Sequence, residues 1–201
     1  MTITDAIKFL RQDKEMAQVI DTIGEYKLKK RNHHFSVLVE SIISQQLATS
    51  AADAIFKRFK ELYPKFPTAS EILATRKSKL RQVGLSSMKI DYLKDLAKHV
   101  NKGKLNMRSL SRMDDEDVIS HLTQVKGIGR WTAEMFLIFS LGRQDIFPVG
   151  DLALRKGVQI LFSLQEIPKQ NEAEKLGQRW KPYRTIATWY LWKSLRQFNK
   201  I

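Results

Sequence analysis

Residues 122–133 read Leu122-Thr123-Gln124-Val125-Lys126-Gly127-Ile128-Gly129-Arg130-Trp131-Thr132-Ala133. An apolar helix end runs into two glycines separated by one residue, and a new helical pattern begins at Arg130 and continues to Leu141. Glycine tolerates positive φ and close backbone approach, so the stretch predicts a tight reversal between two helices. Amide groups near Gly129 would then face outward without helical partners, an arrangement suited to an anion such as a DNA phosphate. A plain helix–helix turn with glycine caps fits the same residues. A dinucleotide-binding turn does not, because no strand pattern precedes the glycines and no third glycine follows at the required spacing.

The pattern recurs upstream. Leu80-Arg81-Gln82-Val83-Gly84-Leu85 also ends an apolar helical run at a glycine, and a helix over Lys89 to Val100 follows. Further out, residues 35–63 carry two helical stripes: Phe35, Leu38, Val39, Ile42 and Ile43, then Ala51, Ile55, Phe59 and Leu62. The small hydroxylic residues of Ser44-Gln45-Gln46-Leu47-Ala48-Thr49-Ser50 predict a break and an N-cap between them. Pro64 and Pro67 close the second helix, and Thr68-Ala69-Ser70-Glu71 opens another. Ser111 and the run Asp114-Asp115-Glu116-Asp117 read as a solvated helix start, not a metal site. Alternating strand patterns and Asn-Gly or Asp-Gly hairpin signals are missing, so the fold class is all-α.

Composition narrows the function. The 201 residues carry 35 Lys plus Arg against 21 Asp plus Glu, a formal charge of +14, which favours a polyanionic partner. Zero cysteines exclude a disulfide framework, thiol catalysis and an iron–sulfur cluster. No apolar run approaches the roughly 20 residues needed to span a bilayer. The N-terminus lacks the order of a secretory signal, so the expected location is intracellular: cytoplasm or nucleoid in a prokaryote, nucleus in a eukaryote. His33, His34, His99 and His121 have no zinc-ligand spacing and read as surface or hydrogen-bonded residues.

Residues 122–133 resemble the helix–hairpin–helix of the HhH-GPD DNA glycosylases, in which a Gly/Pro-rich loop and an aspartate follow the hairpin. Phe147-Pro148-Val149-Gly150-Asp151 occupies that place. The segment Trp180-Lys181-Pro182-Tyr183-Arg184-Thr185-Ile186-Ala187 through Trp192 is similar to the C-terminal signature of the 3-methyladenine DNA glycosylase II family. Ser44-Gln45-Gln46-Leu47 and Gly84-Leu85-Ser86-Ser87-Met88-Lys89 match the same family. The likeness runs in order over about residues 35–195.

The resemblance implies a two-lobed helical fold with the active site in the cleft between lobes. The expected lobes are 36–143, with the wedge loop and hairpin, and 1–35 with 144–201. It implies a monofunctional glycosylase of base excision repair acting on alkylated purines in double-stranded DNA, 3-methyladenine and 7-methylguanine, after base flipping. Asp151 is the expected catalytic carboxylate, stabilising positive charge on the sugar as the base departs. A helix dipole favours a negative charge at such a site, and an aspartate there also reads as an ordinary N-cap. Trp131, Trp192 and Tyr183 are the implied base-pocket aromatics, although packed-core roles are open to all three. Trp180 and Trp189 read as core.

Gln46 and Leu47 are the implied DNA wedge, with a helix-corner core position as the plain alternative for Leu47. Backbone groups of Gly127, Gly129 and Trp131, with Lys126 and Arg130, are the implied phosphate contacts. Main-chain oxygens of Thr123, Val125 and Ile128 are the implied ligands of a monovalent cation, Na+ or K+; no other cofactor is expected. Bifunctional relatives carry a lysine where Trp131 stands, so no abasic-site lyase activity is expected. The partner is damaged double-stranded DNA, no membrane is involved, and the protein is expected to be a monomer. Larger relatives carry an extra N-terminal α+β domain, and from the place where the likeness begins none is expected here. A glycosylase for deaminated or mismatched bases, a non-enzymatic DNA-binding module and, more remotely, an RNA-binding protein are the competing readings.

Overall fold

The computed structural model describes residues 2–198, and among them there are helices and no strands. Twelve α-helices are described. They are α1 (Ile3–Leu10), α2 (Lys14–Ile23), α3 (His34–Ser44), α4 (Thr49–Glu61), α5 (Ala69–Ala74), α6 (Lys77–Gln82), α7 (Ser87–Asn101), α8 (Asp115–Thr123), α9 (Arg130–Phe136), α10 (Leu152–Leu161), α11 (Gln170–Gly177) and α12 (Arg184–Phe198). No helix among the described residues is long and apolar enough to cross a membrane.

Local chemistry sets many of the boundaries. Thr68 and Glu71 cap α5 reciprocally, Glu71 Oε2 accepting the Thr68 amide at 2.7 Å, as Thr68-Ala69-Ser70-Glu71 predicts. The break after α3 falls at Gln45–Ala48. The helix predicted over Arg130 to Leu141 is α-helical only to Phe136, and Leu137–Leu141 widens into a π-helix. This turn coincides with an added bond, the Arg31 amide donating to the Phe139 carbonyl at 2.8 Å.

The chain divides into two compact units, Arg31–Leu141 and Met1–Lys30 with Gly142–Ile201. The central unit starts at Arg31, not residue 36, and ends at Leu141, not residue 143. Residues 31–34 are tied to its last turn by the Arg31 amide and by His34 Nδ1, 2.7 Å from Ser140 Oγ. Residues 1 and 199–201 of the expected terminal lobe lie outside the described residues.

In the central unit, α3 packs on α4, α7 and α9, while α7 also receives α5 and α6, and α8 packs on α9. The buried residues Leu38, Val39, Ile42 and Ile43 of α3 supply its centre. The second unit is built on α12, which packs against α1, α2 and α10. Its core is rich in aromatics. Trp180 is fully buried, donates Nε1–H to Asp13 Oδ2 at 3.2 Å and stacks on Phe162, and Trp189 meets Tyr26 edge-on at 4.9 Å. Both tryptophans read as core therefore are core.

Candidate active site

The hairpin of the central unit is assembled on α7. Gly127 has φ +82°, and a Cβ there would lie 2.1 Å from Cδ2 of Tyr92, so the Tyr92 ring occupies the space a side chain would need. One turn further along α7, Asp95 Oδ2 accepts the amide of Lys126 at 2.9 Å. From the end of α3, Gln45 Nε2 donates to the Gly127 carbonyl at 2.8 Å. Val125 and Ile128 are buried, and the Ile128 amide closes the turn on the Val125 carbonyl at 3.1 Å. Gly129 differs from Gly127. It is extended, with φ −90° and ψ 173°, it has nothing within 4 Å of an added Cβ, and it caps α9 without a side-chain hydrogen bond.

The loop between α3 and α4 stands beside this turn. Gln46 has φ 57°, the left-handed region, and both Gln46 and Leu47 are exposed. A cavity of about 540 Å³ in this unit is lined by Ser44, Gln45, Gln46, Tyr92, Gly127 and Trp131, among others. Trp131 is 49% exposed, a large apolar surface for the first turn of a helix to leave in water. Lys89 also lines the cavity, but its ammonium is only 8% exposed as a residue and donates to the Ile43 carbonyl at 2.7 Å. Burial pushes the Lys89 ammonium below the ordinary lysine range.

Structure thus brings together Gln46, Gly127 and Trp131, three residues expected in a DNA-binding site, and Leu47 adjoins them in sequence. Lys126 is exposed beside the turn. Arg130 stands differently from the expectation. Its guanidinium donates to Glu116 at 3.0 and 2.5 Å and to Glu134 at 3.1 Å, so three of its donors are already occupied. These bonds hold the Arg130 guanidinium above and the Glu116 carboxyl below their ordinary ranges. Glu116 belongs to the acidic start of α8, so that run is not merely solvated.

Asp151, Tyr183 and Trp192 belong to the other unit. Asp151 ends a tight loop in which its amide donates to the Pro148 carbonyl at 2.8 Å. Its Oδ1 accepts the Leu154 amide at 2.8 Å, capping α10, so the capping reading is met. The same loop is clamped upstream: Arg184 donates to both carboxylate oxygens of Asp145 at 2.8 and 3.0 Å, and Thr185 Oγ1 accepts the Ile146 amide at 2.9 Å. Tyr183 is buried in the core of this unit, edge-on to Phe9 at 5.5 Å, and Trp192 is half-buried on α12. Of the histidines, His99 and His121 hold carbonyls of their own helices. No group of three His, Cys, Asp or Glu residues placed to hold a metal occurs among the described residues.

Two helices joined by a glycine-closed turn, with a tryptophan 49% exposed on the first turn of the second helix, make up this part of the central unit. A sequence model of the HhH-GPD superfamily of base excision DNA repair proteins matches residues 39–182. The chain belongs to this family. It is 38% identical over 188 residues to DNA-3-methyladenine glycosylase 1 of Schizosaccharomyces pombe, covering 90% of this chain and 82% of that protein. Among solved structures, the S. pombe 3-methyladenine DNA glycosylase in complex with abasic DNA superposes with a TM-score of 0.85 at 37% identity, covering 96% and 97% of the two chains. A DNA-3-methyladenine glycosidase from Bacillus halodurans gives 0.88 at 37% identity, covering 96% and 89%.

Lys89, Tyr92, Asp95 and Gln45 carry the site's framework, and the sequence assigns them no such role. Gln45 and Lys89 stand in the two stretches that match the family, and Lys89, Tyr92 and Asp95, three residues apart on one helix, share a face.

Proposed function

We propose that this chain is a monofunctional DNA glycosylase that hydrolyses the N-glycosidic bond of alkylated purines, 3-methyladenine and 7-methylguanine, in double-stranded DNA. The single observation that carries this reading is the exposed Trp131 ring on the wall of the cavity beside the hairpin. The names of the S. pombe and B. halodurans relatives support it. Alkylation at N3 or N7 makes the base cationic, and an aromatic face attracts a cation by about 0.5–2 kcal/mol. Such a base is also a good leaving group, so the protein has to stabilise the sugar more than protonate the base.

Asp151 is the carboxylate assigned to that task. As the C1′–N bond breaks, its negative charge opposes the positive charge building on the deoxyribose. Water then adds at C1′ and its proton is taken up by Asp151 or by solvent, which leaves an abasic site and a free base. The target nucleotide must leave the stack first, at a cost of a few kcal/mol, and Gln46 and Leu47 are assigned to fill its place. Trp192 and Tyr183 are assigned to the base-binding side with Trp131, Tyr183 as support from within the core. Strand cleavage through a Schiff base is not expected, because Trp131 stands where the lyases of the family have lysine and the Lys89 amine is held on Ile43.

Phosphate contacts are assigned to the backbone amides of Gly127, Gly129 and Trp131 with Lys126, and Arg130 joins them only by exchanging Glu116. Main-chain oxygens of Thr123, Val125 and Ile128 are assigned to a monovalent cation. The Thr123 and Val125 carbonyls suit a cation because they lie at or just past the C-terminal end of α8, the negative pole of its dipole, and Ile128 adds a third neutral oxygen from the turn. Replacing Na+ or K+ by tetramethylammonium at equal ionic strength should then weaken DNA binding, and equal affinity in the three salts refutes the site. We assign the protein to an intracellular, monomeric role on damaged duplex DNA.

Asp151→Asn tests the mechanism. Asparagine caps helices as well as aspartate does, so α10 and the fold should persist. Base release from methylated duplex should fall about 10³-fold, while a gel shift shows binding to the same DNA retained. Excision at the wild-type rate removes the assigned mechanism. The same release assay on duplexes containing hypoxanthine or uracil decides between alkylated and deaminated bases.

A further inference from the structure

Four bonds or contacts link the loop 44–48 and the hairpin into one circuit, three of them running through a single face of α7. Lys89 Nζ holds the Ile43 carbonyl at 2.7 Å, at the point where α3 ends and the loop begins. Tyr92 fills the space over Gly127, and Asp95 accepts the Lys126 amide. Gln45 closes the circuit by reaching directly from the loop to the Gly127 carbonyl, a bond between residues 82 apart in sequence. We infer that Gln45 is a positioning residue that sets the register between the 44–48 loop and the hairpin, so that the loop enters the duplex at the place where the hairpin grips it. This rests on the proposed reading of Gln46 and Leu47 as the inserting residues.

The backbone of the loop explains why such a tie is needed. Gln46 adopts φ 57° without being glycine, a conformation that costs about 1 kcal/mol and persists only where neighbours over-determine it. The α4 side provides little restraint, since its cap, Ala48, makes no side-chain hydrogen bond. Restraint comes from the α3 side: Lys89 fixes Ile43, the Leu47 amide donates to the Ser44 carbonyl at 3.2 Å, and Gln45 anchors the residue immediately before the strained one. Removing the Gln45 donor frees the loop to rotate about Gln46 while leaving Lys89, Tyr92 and Asp95 to hold the hairpin. A residue that only satisfied a carbonyl would affect stability and nothing else.

The test uses a duplex in which 2-aminopurine lies opposite a tetrahydrofuran abasic analogue, so no base is available for release. Insertion of the loop unstacks the 2-aminopurine and raises its fluorescence, and the same titration gives the affinity. In Gln45→Met, loss of one neutral hydrogen bond should lower the inserted-to-uninserted ratio about fivefold, with affinity for the duplex within about threefold and Tm of the free protein close to wild type. Gln45→Glu, which sets an acceptor against the Gly127 carbonyl, should lose more of the signal than Gln45→Met. The inference is overturned if Gln45→Met gives the wild-type fluorescence rise, if fluorescence, affinity and Tm fall together, or if the wild-type protein itself produces no rise. Failure of the glycosylase reading is seen separately, in the absence of base release by the wild-type protein from methylated DNA.

Discussion

Gly84 and Gly127 end two helices in the same unit, both with positive φ, and the helices that follow them are put to different uses. After Gly84 comes Ser86, whose hydroxyl accepts the Lys89 amide at 3.3 Å and caps α7. After Gly127 comes Gly129, which caps α9 with no side chain at all. The first helix start is satisfied internally, and α7 then serves as the plate on which the second turn is built. The second start has no side-chain cap, and in the proposed reading it faces the DNA strand. Surroundings differ in the same sense. An added Cβ at Gly84 would meet the end of Arg58 at 3.1 Å and Ile55 at 3.2 Å, whereas at Gly127 it would collide with the Tyr92 ring, 2.1–2.5 Å from three of its atoms. Two turns of similar sequence therefore divide the labour, one supporting and one presenting.

The largest effect this contrast predicts is for Gly127→Ala. Positive φ and the collision with Tyr92 add, so destabilisation of about 3 kcal/mol or more is expected. Gly84→Ala should cost only about 1–2 kcal/mol, because its strain is mostly backbone and its nearest contacts, Arg58 at 3.1 Å and Ile55 at 3.2 Å, are far less severe than the 2.1 Å contact at Gly127. Denaturant midpoints of the two variants check the order. Equal losses would mean that Tyr92 yields as readily as Arg58, and that the hairpin is not braced by α7.

Those two turns also show how far the sequence carries. Helix ends, glycine reversals and the Thr68–Glu71 capping box depend on residues a few positions apart, so period and local chemistry are enough to place them. The reversal at Gly127 and the break at Gln46 are legible for the same reason, whereas Trp131 is marked only by the family resemblance. What holds them together is not. The bonds from Lys89 to Ile43, Gln45 to Gly127 and Asp95 to Lys126 join residues 46, 82 and 31 apart, and no local pattern announces them. Charge misleads in the same way. A basic excess suggests phosphate contacts or solubility, yet Lys89 closes the end of α3, Lys94 donates to three carbonyls at the end of α5 at 2.6–2.7 Å, and Arg130 is paired with Glu116. Tyr183 belongs to a signature that suggests a pocket, and no local pattern shows that its ring is also packed in the core of its unit, edge-on to Phe9.

The smallest expected effects are the most discriminating, because they exchange the treatment of the two helix starts. Ser86→Ala removes the cap of α7 and should lower stability by about 1 kcal/mol, with DNA affinity unaltered. Gly129→Ser supplies α9 with the cap it lacks. Gly129 is extended and nothing stands within 4 Å of its Cβ position, so the substitution meets neither strain nor collision. Stability should rise by roughly a few tenths of a kcal/mol. The new hydroxyl would occupy an amide assigned to a phosphate, and the affinity for duplex DNA should fall about threefold, the value of one weak hydrogen bond. The opposite signs matter more than their sizes. Glycine at 127 is demanded by the fold, whereas nothing in the fold demands it at 129. A variant that becomes slightly more stable and binds DNA less well locates the reason for Gly129 outside the protein, in the strand that rests against it. A variant that gains stability and binds DNA as before would show that the uncapped amides of α9 do not hold the phosphate, and the difference between the two turns would then be one of packing alone.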